Sequence, residues 1–402
     1  MDREYSAVVE EHLKHYRQMA FLCGPRQVGK TTCSKSFKGE HARFYYLNWE
    51  TSGHRRLIFE GAEAVARYLK LDTASSEKPL VVFDEIHKYS KWKLFLKGFF
   101  DLYEDRCQII VTGSAKLNVY QRGEDSLMGR YFPYRIHPLS IGELARAEMR
   151  KKEILPPKKV PKTQLDRLLK FGGFPEPFTK SDLRFSNNWQ RLRKQQLLRE
   201  DIRELSQIQD LPELELLVDL LVEESGQQLN IASFSNQLNV AESTLHRWIK
   251  VLESFYFCYR IKPWSKNVRR AIRKTPKLYL WDWSMIADGG SRVENLIASH
   301  LLKSVHLWTD LGFGEYDLFY VRDKNKNEVD FLVTKGKEPW FLVEAKVAQN
   351  KGITKSLYSF YEQLGVAHAF QVVYDLPYEE VDCFKYKKPV IVPASTLLSQ
   401  LP

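Results

Sequence analysis

The segment Gly24-Pro25-Arg26-Gln27-Val28-Gly29-Lys30-Thr31 has the spacing of a loop that cradles phosphates. Its glycines let the backbone curl until the N–H groups point inward. The loop lies between an apolar run, MAFLCG, and a helix-like stretch, TTCSKSFKG, so the helix adds its N-terminal dipole to the same spot. Lys30 has the reach for the β- and γ-phosphates of ATP, and the Thr31 hydroxyl is the type of group that ligates Mg²⁺. The expected nucleotide-binding set is therefore Gly24, Pro25, Arg26, Gln27, Val28, Gly29, Lys30, Thr31 and Thr32.

About fifty residues on, Leu80-Val-Val-Phe-Asp84-Glu85 is an apolar strand that ends in two carboxylates. After a phosphate loop this pattern predicts that Asp84 holds Mg²⁺ through water and that Glu85 deprotonates the attacking water. The strand IIVTGS then ends in hydroxyls, Thr112 and Ser114, and Ser114 is the candidate that senses the γ-phosphate. Its alternative role is to cap the next helix. Arg130, after Gly129 in a predicted turn, suits an arginine finger that enters the site of a neighbouring copy. Arg122 is a weaker alternative, and an ion pair within the chain is the simpler use of Arg130.

A second constellation lies near the C-terminus. Glu328-Val-Asp330-Phe-Leu-Val-Thr and Trp340-Phe-Leu-Val-Glu344-Ala-Lys346 read as a hairpin. Residues two apart on a strand share a face, so Glu344 and Lys346 project together toward Asp330. Asp330 and Glu344 could hold Mg²⁺ while Lys346 activates a water for phosphodiester attack. The same residues could equally form a structural ion pair in a core that cleaves nothing.

Between these sites, residues 231–249 read as helix, tight turn and helix, with Leu238, Val240, Leu245 and Ile249 inward. Ser243, Thr244, His246, Arg247 and Lys250 fall on or near the outer face of the second helix, as donors to a DNA groove would. From Ile261 to Leu280 there are seven basic residues and no acid, where Arg269, Arg270, Arg273 and Lys274 suit phosphate contacts. A protein-docking module with a solvated basic hairpin fits the same pattern. The net charge of +11 favours polyanionic partners without deciding the matter.

The elements that must position these residues come next. A chain of 402 residues is long for one core. No apolar run reaches the roughly 20 residues needed to span a bilayer. The first residues are polar and charged, without a secretory signal. Five scattered cysteines, with no CxxC, suit a reducing, cytoplasmic setting. Residues 1–145 alternate strands and helices, which predicts a parallel sheet covered on both faces. RKKEILPPKKVPK reads as an exposed connection. Residues 163–225 read as mostly helical, broken by a non-helical turn at FGGFPEPF (171–178), and α/β patterning resumes near 290.

Taken as a set, GPRQVGKTT, VVFDEIHK, IIVTGSA, LMGRYFPYRIHPLSIGEL, FGGFPEP and REDIREL resemble one family. It is the AAA-type P-loop ATPases of bacteria and archaea that carry a C-terminal domain of unknown function. In that family the C-terminal part includes a winged helix and a core like that of PD-(D/E)xK nucleases. The resemblance implies an α/β fold: an ATPase domain at 1–149, a helical lid and linker at 150–212, a winged helix at 213–283 and a nuclease-like α/β domain at 284–402. It also implies an ATP site of Lys30, Thr31, Asp84 and Glu85, a finger at Arg130, and Glu294 as the helical glutamate of the nuclease core. The expected function is a Mg²⁺-dependent ATPase acting on DNA as a homo-oligomer, without a membrane partner. Its C-terminal half would contact DNA and, if Asp330 and Glu344 take a metal, cleave it. The alternative is an ATP-driven switch for a protein partner, built on an inert nuclease-like scaffold.

Overall fold

The computed structural model describes residues 3–72, 77–113, 127–202, 210–265, 275–349 and 352–402. The chain forms two compact units, one of residues 1–137 with 147–149, the other of residues 138–146 with 150–402. Among the described residues no helix is long and apolar enough to cross a membrane.

The first unit is built on five parallel strands in the order β2-β3-β4-β1-β5. They are β1 (Met19–Cys23), β2 (Phe44–Asn48), β3 (Leu80–Asp84), β4 (Gln108–Gly113) and β5 (Tyr131–Arg135). The central strands β1 and β3 are buried at every position, which is why they read as unbroken apolar runs rather than as alternation. The helix Trp92–Tyr103 covers one face with Trp92, Phe95, Leu96, Phe99 and Phe100, the three-to-four spacing of a helix stripe. Because all five strands run the same way, the C-terminal ends of β1, β3 and β4 lie at one edge of the sheet. This is where open α/β sheets bind ligands.

The second unit holds a seven-stranded mixed sheet in the order β12-β11-β10-β9-β8-β6-β7. Its strands are β6 (Cys258–Pro263), β7 (Lys277–Leu280), β8 (Tyr316–Arg322), β9 (Glu328–Lys335), β10 (Glu338–Lys346), β11 (His368–Val373) and β12 (Val390–Pro393). The 22-residue helix Gly289–Asp310 packs on it through Leu296, Ile297, Leu301, Val305 and Trp308. Strands β6 and β7, which fall within the expected winged-helix segment 213–283, pair into this sheet. Lys262 and Pro263 of β6 pair in parallel with Phe319 and Tyr320 of β8.

The FGGFPEPF segment also differs from its reading. Only residues 172–174 are non-helical, and a helix resumes at Pro175–Lys180. Proline at the first helical position costs no hydrogen bond, so Pro175 starts a helix here rather than preventing one. Gly173 is packed so tightly that an added Cβ would lie 2.6 Å from the Trp283 ring and 2.7 Å from the Leu139 carbonyl oxygen.

Candidate nucleotide site and carboxylate cluster

Gly24 leaves β1 with φ +154° and lies against β5, where a Cβ would come within 2.3 Å of the Ile136 carbonyl oxygen. Its glycine is thus required by sheet packing as well as by loop curvature. Gly29, at φ +103°, caps the helix Lys30–Ser36. Arg3, which sequence reasoning passed over, braces this loop from the N-terminus. Its guanidinium donates to the carbonyl oxygens of Val28 at 2.7 Å and His137 at 2.6 Å. Pro25 and Val28 are buried, Arg26 and Thr31 half-buried, and Gln27 and Thr32 exposed.

Lys30 is 5% exposed, and its ammonium donates to the carbonyl oxygens of Gly24 at 2.9 Å and Pro25 at 2.6 Å. Burial pushes its pKa down to about 8, against the opposing pull of Glu85 and Asp84. The Thr31 hydroxyl lies 3.5 Å from Asp84 Oδ2. Asp84, 4% exposed, also accepts from the hydroxyls of Tyr46 and Thr112. Tyr46 was not anticipated, because an aromatic residue in ARFYYLNWE reads as packing. Thr112 was noted as a strand-end hydroxyl, and the structure turns it onto Asp84. Ser114 and Arg122 lie outside the described residues.

Glu85 follows Asp84 in the left-handed region, at φ +55°. His87 Nε2 stands 3.7 Å from Glu85 Oε2. Burial, reinforced by Lys30, Lys88 and Arg26, lowers the His87 pKa to about 3, so the imidazole is neutral. Its Nδ1 is buried without a hydrogen-bond partner among the described residues. Thr31 and Asp84 offer a hydroxyl and a carboxylate at one place, an all-oxygen pair that fits Mg²⁺.

Arg130 sits at the other edge of the same sheet. Met19 and Tyr131 pair at the beginning of the parallel β1–β5 ladder, whereas the phosphate loop leaves β1 after Cys23. Five strand residues, about 16 Å, separate the two ends. The Arg130 guanidinium forms a two-pronged ion pair with Asp101, at 2.6 and 2.9 Å.

In the second unit, the β9–β10 register pairs Phe331 with Val343 and so brings Asp330 level with Glu344. The Glu344 carboxylate accepts from Lys346 at 2.8 Å through Oε1, while its Oε2 is buried with no hydrogen-bond partner among the described residues. Glu294, on the helix Gly289–Asp310, accepts from the Tyr279 hydroxyl at 2.8 Å. Burial, with the charge of Asp330, raises the pKa values of both Glu294 and Glu344 well above the carboxylate range.

The residue at the centre of this cluster was misread from the sequence. Lys277 was grouped with the exposed basic stretch, yet it opens β7 and is 5% exposed. Its ammonium lies 2.7 Å from Glu328, 3.3 Å from Glu294 and 3.5 Å from Asp330. Burial alone would lower its pKa, but these three carboxylates outweigh that and raise it. The apolar strand KLYLWDW that follows it was the available signal, since Lys277 and Tyr279 share one face. Among the described residues, no group of three or more His, Cys, Asp or Glu side chains is arranged to hold a metal ion.

Arg247 and Lys250 are exposed on the helix Glu242–Ser254, whose Leu245, Trp248, Ile249 and Leu252 are buried. Asn239, at φ +53°, makes the tight turn before that helix. Arg269, Arg270, Arg273 and Lys274 lie outside the described residues.

Comparison with known proteins finds matches along most of the chain. An AAA domain model matches residues 16–145. Two domains of unknown function, DUF8612 and DUF4143, match residues 162–288 and 289–388. An uncharacterized protein of Methanocaldococcus jannaschii is 25% identical over 78% of this chain and 71% of its own length. An uncharacterized protein of Mycobacterium tuberculosis is 22% identical over 71% of this chain, which spans only 59% of that relative. Among solved structures, a Walker-type ATPase of Pyrococcus abyssi has a TM-score of 0.46 and 17% identity over 71% of this chain and 94% of that one. The chain thus joins an AAA domain at residues 16–145 to a C-terminal domain of unknown function at residues 289–388.

Proposed function

We infer that the protein is a Mg²⁺-dependent ATPase that turns over as an oligomer and works on DNA bound by its C-terminal half. The observation that carries the ATPase reading is the convergence of Thr31 and Asp84, 3.5 Å apart, beside Lys30 and Glu85. Mg²⁺ held by Thr31 and Asp84 would neutralise charge on the β- and γ-phosphates. Lys30 supplies a fixed positive charge to the transferred phosphoryl group. Tyr46 and Thr112 hold the Asp84 carboxylate in place. Glu85 takes the proton of the attacking water, and the neutral imidazole of His87 adds no competing positive charge beside it.

Arg130 supports an oligomer. About 16 Å of strand separate it from its own phosphate loop, so a finger role requires a neighbouring copy. It would have to exchange Asp101 for the phosphates of that neighbour. DNA as the partner is supported by the net charge of +11 and by exposed Arg247 and Lys250, read as the outer face of a winged-helix recognition helix.

The test is ATP hydrolysis by the purified chain with Mg²⁺, with and without single-stranded, duplex and branched DNA, with DNA integrity scored in the same tubes. Stimulation by at least one DNA form, abolished by Lys30→Ala, supports the reading. Hydrolysis indifferent to every DNA sinks the nucleic-acid part and leaves the ATPase. One observation favours a second reading, an ATP-driven switch for a protein partner: Lys277 occupies the carboxylate cluster where a nuclease would need metal.

A further inference from the structure

We propose that Lys277 is a tethered cation that closes the carboxylate cluster of the second unit to divalent metal, and that removing it creates a metal site. The inference rests on the second unit alone and is independent of the ATPase reading.

The nuclease-like resemblance implies Mg²⁺ held by Asp330 and Glu344, but the residues present do not fit it. Both oxygens of Asp330 are engaged, Oδ1 by the Lys277 ammonium at 3.5 Å and Oδ2 by the Ala345 N–H at 2.9 Å. Both oxygens of Glu328 are engaged as well, Oε1 by Lys277 at 2.7 Å and Oε2 by Arg322 at 2.9 Å. Mg²⁺ demands near-octahedral oxygen ligands at about 2.0–2.1 Å. An ion drawn in to that distance would displace the Lys277 ammonium or face it at short range in a poorly solvated site, where like charges repel strongly.

The ammonium is held there by the fold. Lys277 is the first residue of β7, and Tyr279 on the same face bonds to Glu294. Across the sheet order, β7 and β9 stand on either side of β6 and β8, so the lysine reaches back over its neighbours to Glu328 and Asp330. Its ammonium also lies over the ring of Tyr320, 5.8 Å from the centroid. A side chain this buried and this heavily bonded is not freely exchanged with solvent.

One carboxylate beside the cluster is nevertheless left incompletely satisfied. Glu344 is 7% exposed, and its Oε2 has no hydrogen-bond partner among the described residues. A buried carboxylate oxygen left in this state is costly. With the ammonium gone, Glu294, Glu328 and Asp330, now held apart around it at 2.7 to 3.5 Å, would lose the cation that balances them and be free to draw inward. A hard divalent ion is the natural replacement.

The test is Mn²⁺ binding to the full chain by calorimetry and electron paramagnetic resonance, comparing wild type, Asp330→Asn, Lys277→Met, Lys277→Arg and the Lys277→Met/Asp330→Asn pair. Circular dichroism checks that each is folded. Any Mn²⁺ held at the nucleotide site is common to all five and cancels in the comparison. The expected result is identical binding by wild type and Asp330→Asn, and one additional equivalent in Lys277→Met at least tenfold tighter than anything Lys277→Arg shows. Adding Asp330→Asn should remove that equivalent. A wild-type Mn²⁺ site lost in Asp330→Asn, or wild-type DNA cleavage that depends on Asp330, overturns the proposal. So does a folded Lys277→Met that gains no site. If Lys277→Met does not fold, the wild-type and Asp330→Asn comparison decides alone.

Discussion

The hydroxyl of Tyr46, on β2, donates to Asp84 at the end of β3, so the carboxylate beside the phosphate loop is oriented from a neighbouring strand. A hydrogen bond to a charged group contributes about 1.5–3 kcal/mol. Tyr46→Phe should therefore raise the Mg²⁺ concentration for half-maximal ATP hydrolysis roughly tenfold while leaving nucleotide affinity within about twofold. A Mg²⁺ titration of the steady-state rate measures this. A lowered rate with an unchanged Mg²⁺ midpoint would make Tyr46 only a packing residue.

Arg130 pairs with Asp101 at the sheet edge opposite the phosphate loop. If the guanidinium completes a neighbour's site, Arg130→Ala should lower the maximal hydrolysis rate by about a hundredfold or more with ATP affinity preserved. The wild-type specific activity should also rise with protein concentration, and the variant's should not. Equal rates for the two proteins across that range would remove the finger.

The folded structure of the second unit carries its own pH dependence. The Ile141 N–H donates to His300 Nε2 at 2.9 Å, so the ring proton is on Nδ1, which donates to the Leu296 carbonyl oxygen at 2.7 Å. Burial lowers the His300 pKa to about 3. The unfolded chain, with histidine near 6.5, therefore takes up the proton first as pH falls. Stability contributed by neutral His300 is complete above about pH 6.5 and is lost as pH falls toward 3, at up to about 1.4 kcal/mol per pH unit. Urea unfolding at pH 7, 6, 5 and 4 should show this slope, and His300→Gln should flatten it. An unchanged slope in that variant would assign the acid sensitivity elsewhere.

Arg247 and Lys250 project from a helix whose other face is buried. If both reach phosphates, Arg247→Ala/Lys250→Ala should reduce the slope of log affinity for duplex DNA against log salt by up to about 1.8. Fluorescence anisotropy at several salt concentrations reads the slope. A slope equal to that of the wild type would place the DNA surface on other residues.

Much of this architecture was legible in the sequence because the signals were local. Gly24, Lys30 and Thr31 sit within one loop, Asp84 and Glu85 within one strand end, and buried parallel strands print as apolar runs. The α/β patterning that resumes near 290 likewise matches the helix Gly289–Asp310, and the hairpin read at Asp330 and Glu344 is β9 with β10. What escaped was set by tertiary contact. Tyr46 and Arg3 reach the nucleotide loop from segments that carry no motif, and their residue types read as packing and as solvated charge. Lys277 failed for the same reason. It follows a basic run in sequence, but β7 lies in the sheet with β8 to β12, and only that pairing sets its ammonium among Glu294, Glu328 and Asp330.

The measurement that bears most directly on the ATPase assignment pairs nucleotide binding with turnover in Glu85→Gln. That variant keeps Lys30, Thr31 and Asp84 and removes only the group assigned to take the proton of the attacking water. It should bind ATP within about twofold of the wild type, while its Mg²⁺-dependent hydrolysis falls by about a hundredfold or more, the range for loss of a general base. Turnover by Glu85→Gln at the wild-type rate would contradict the account.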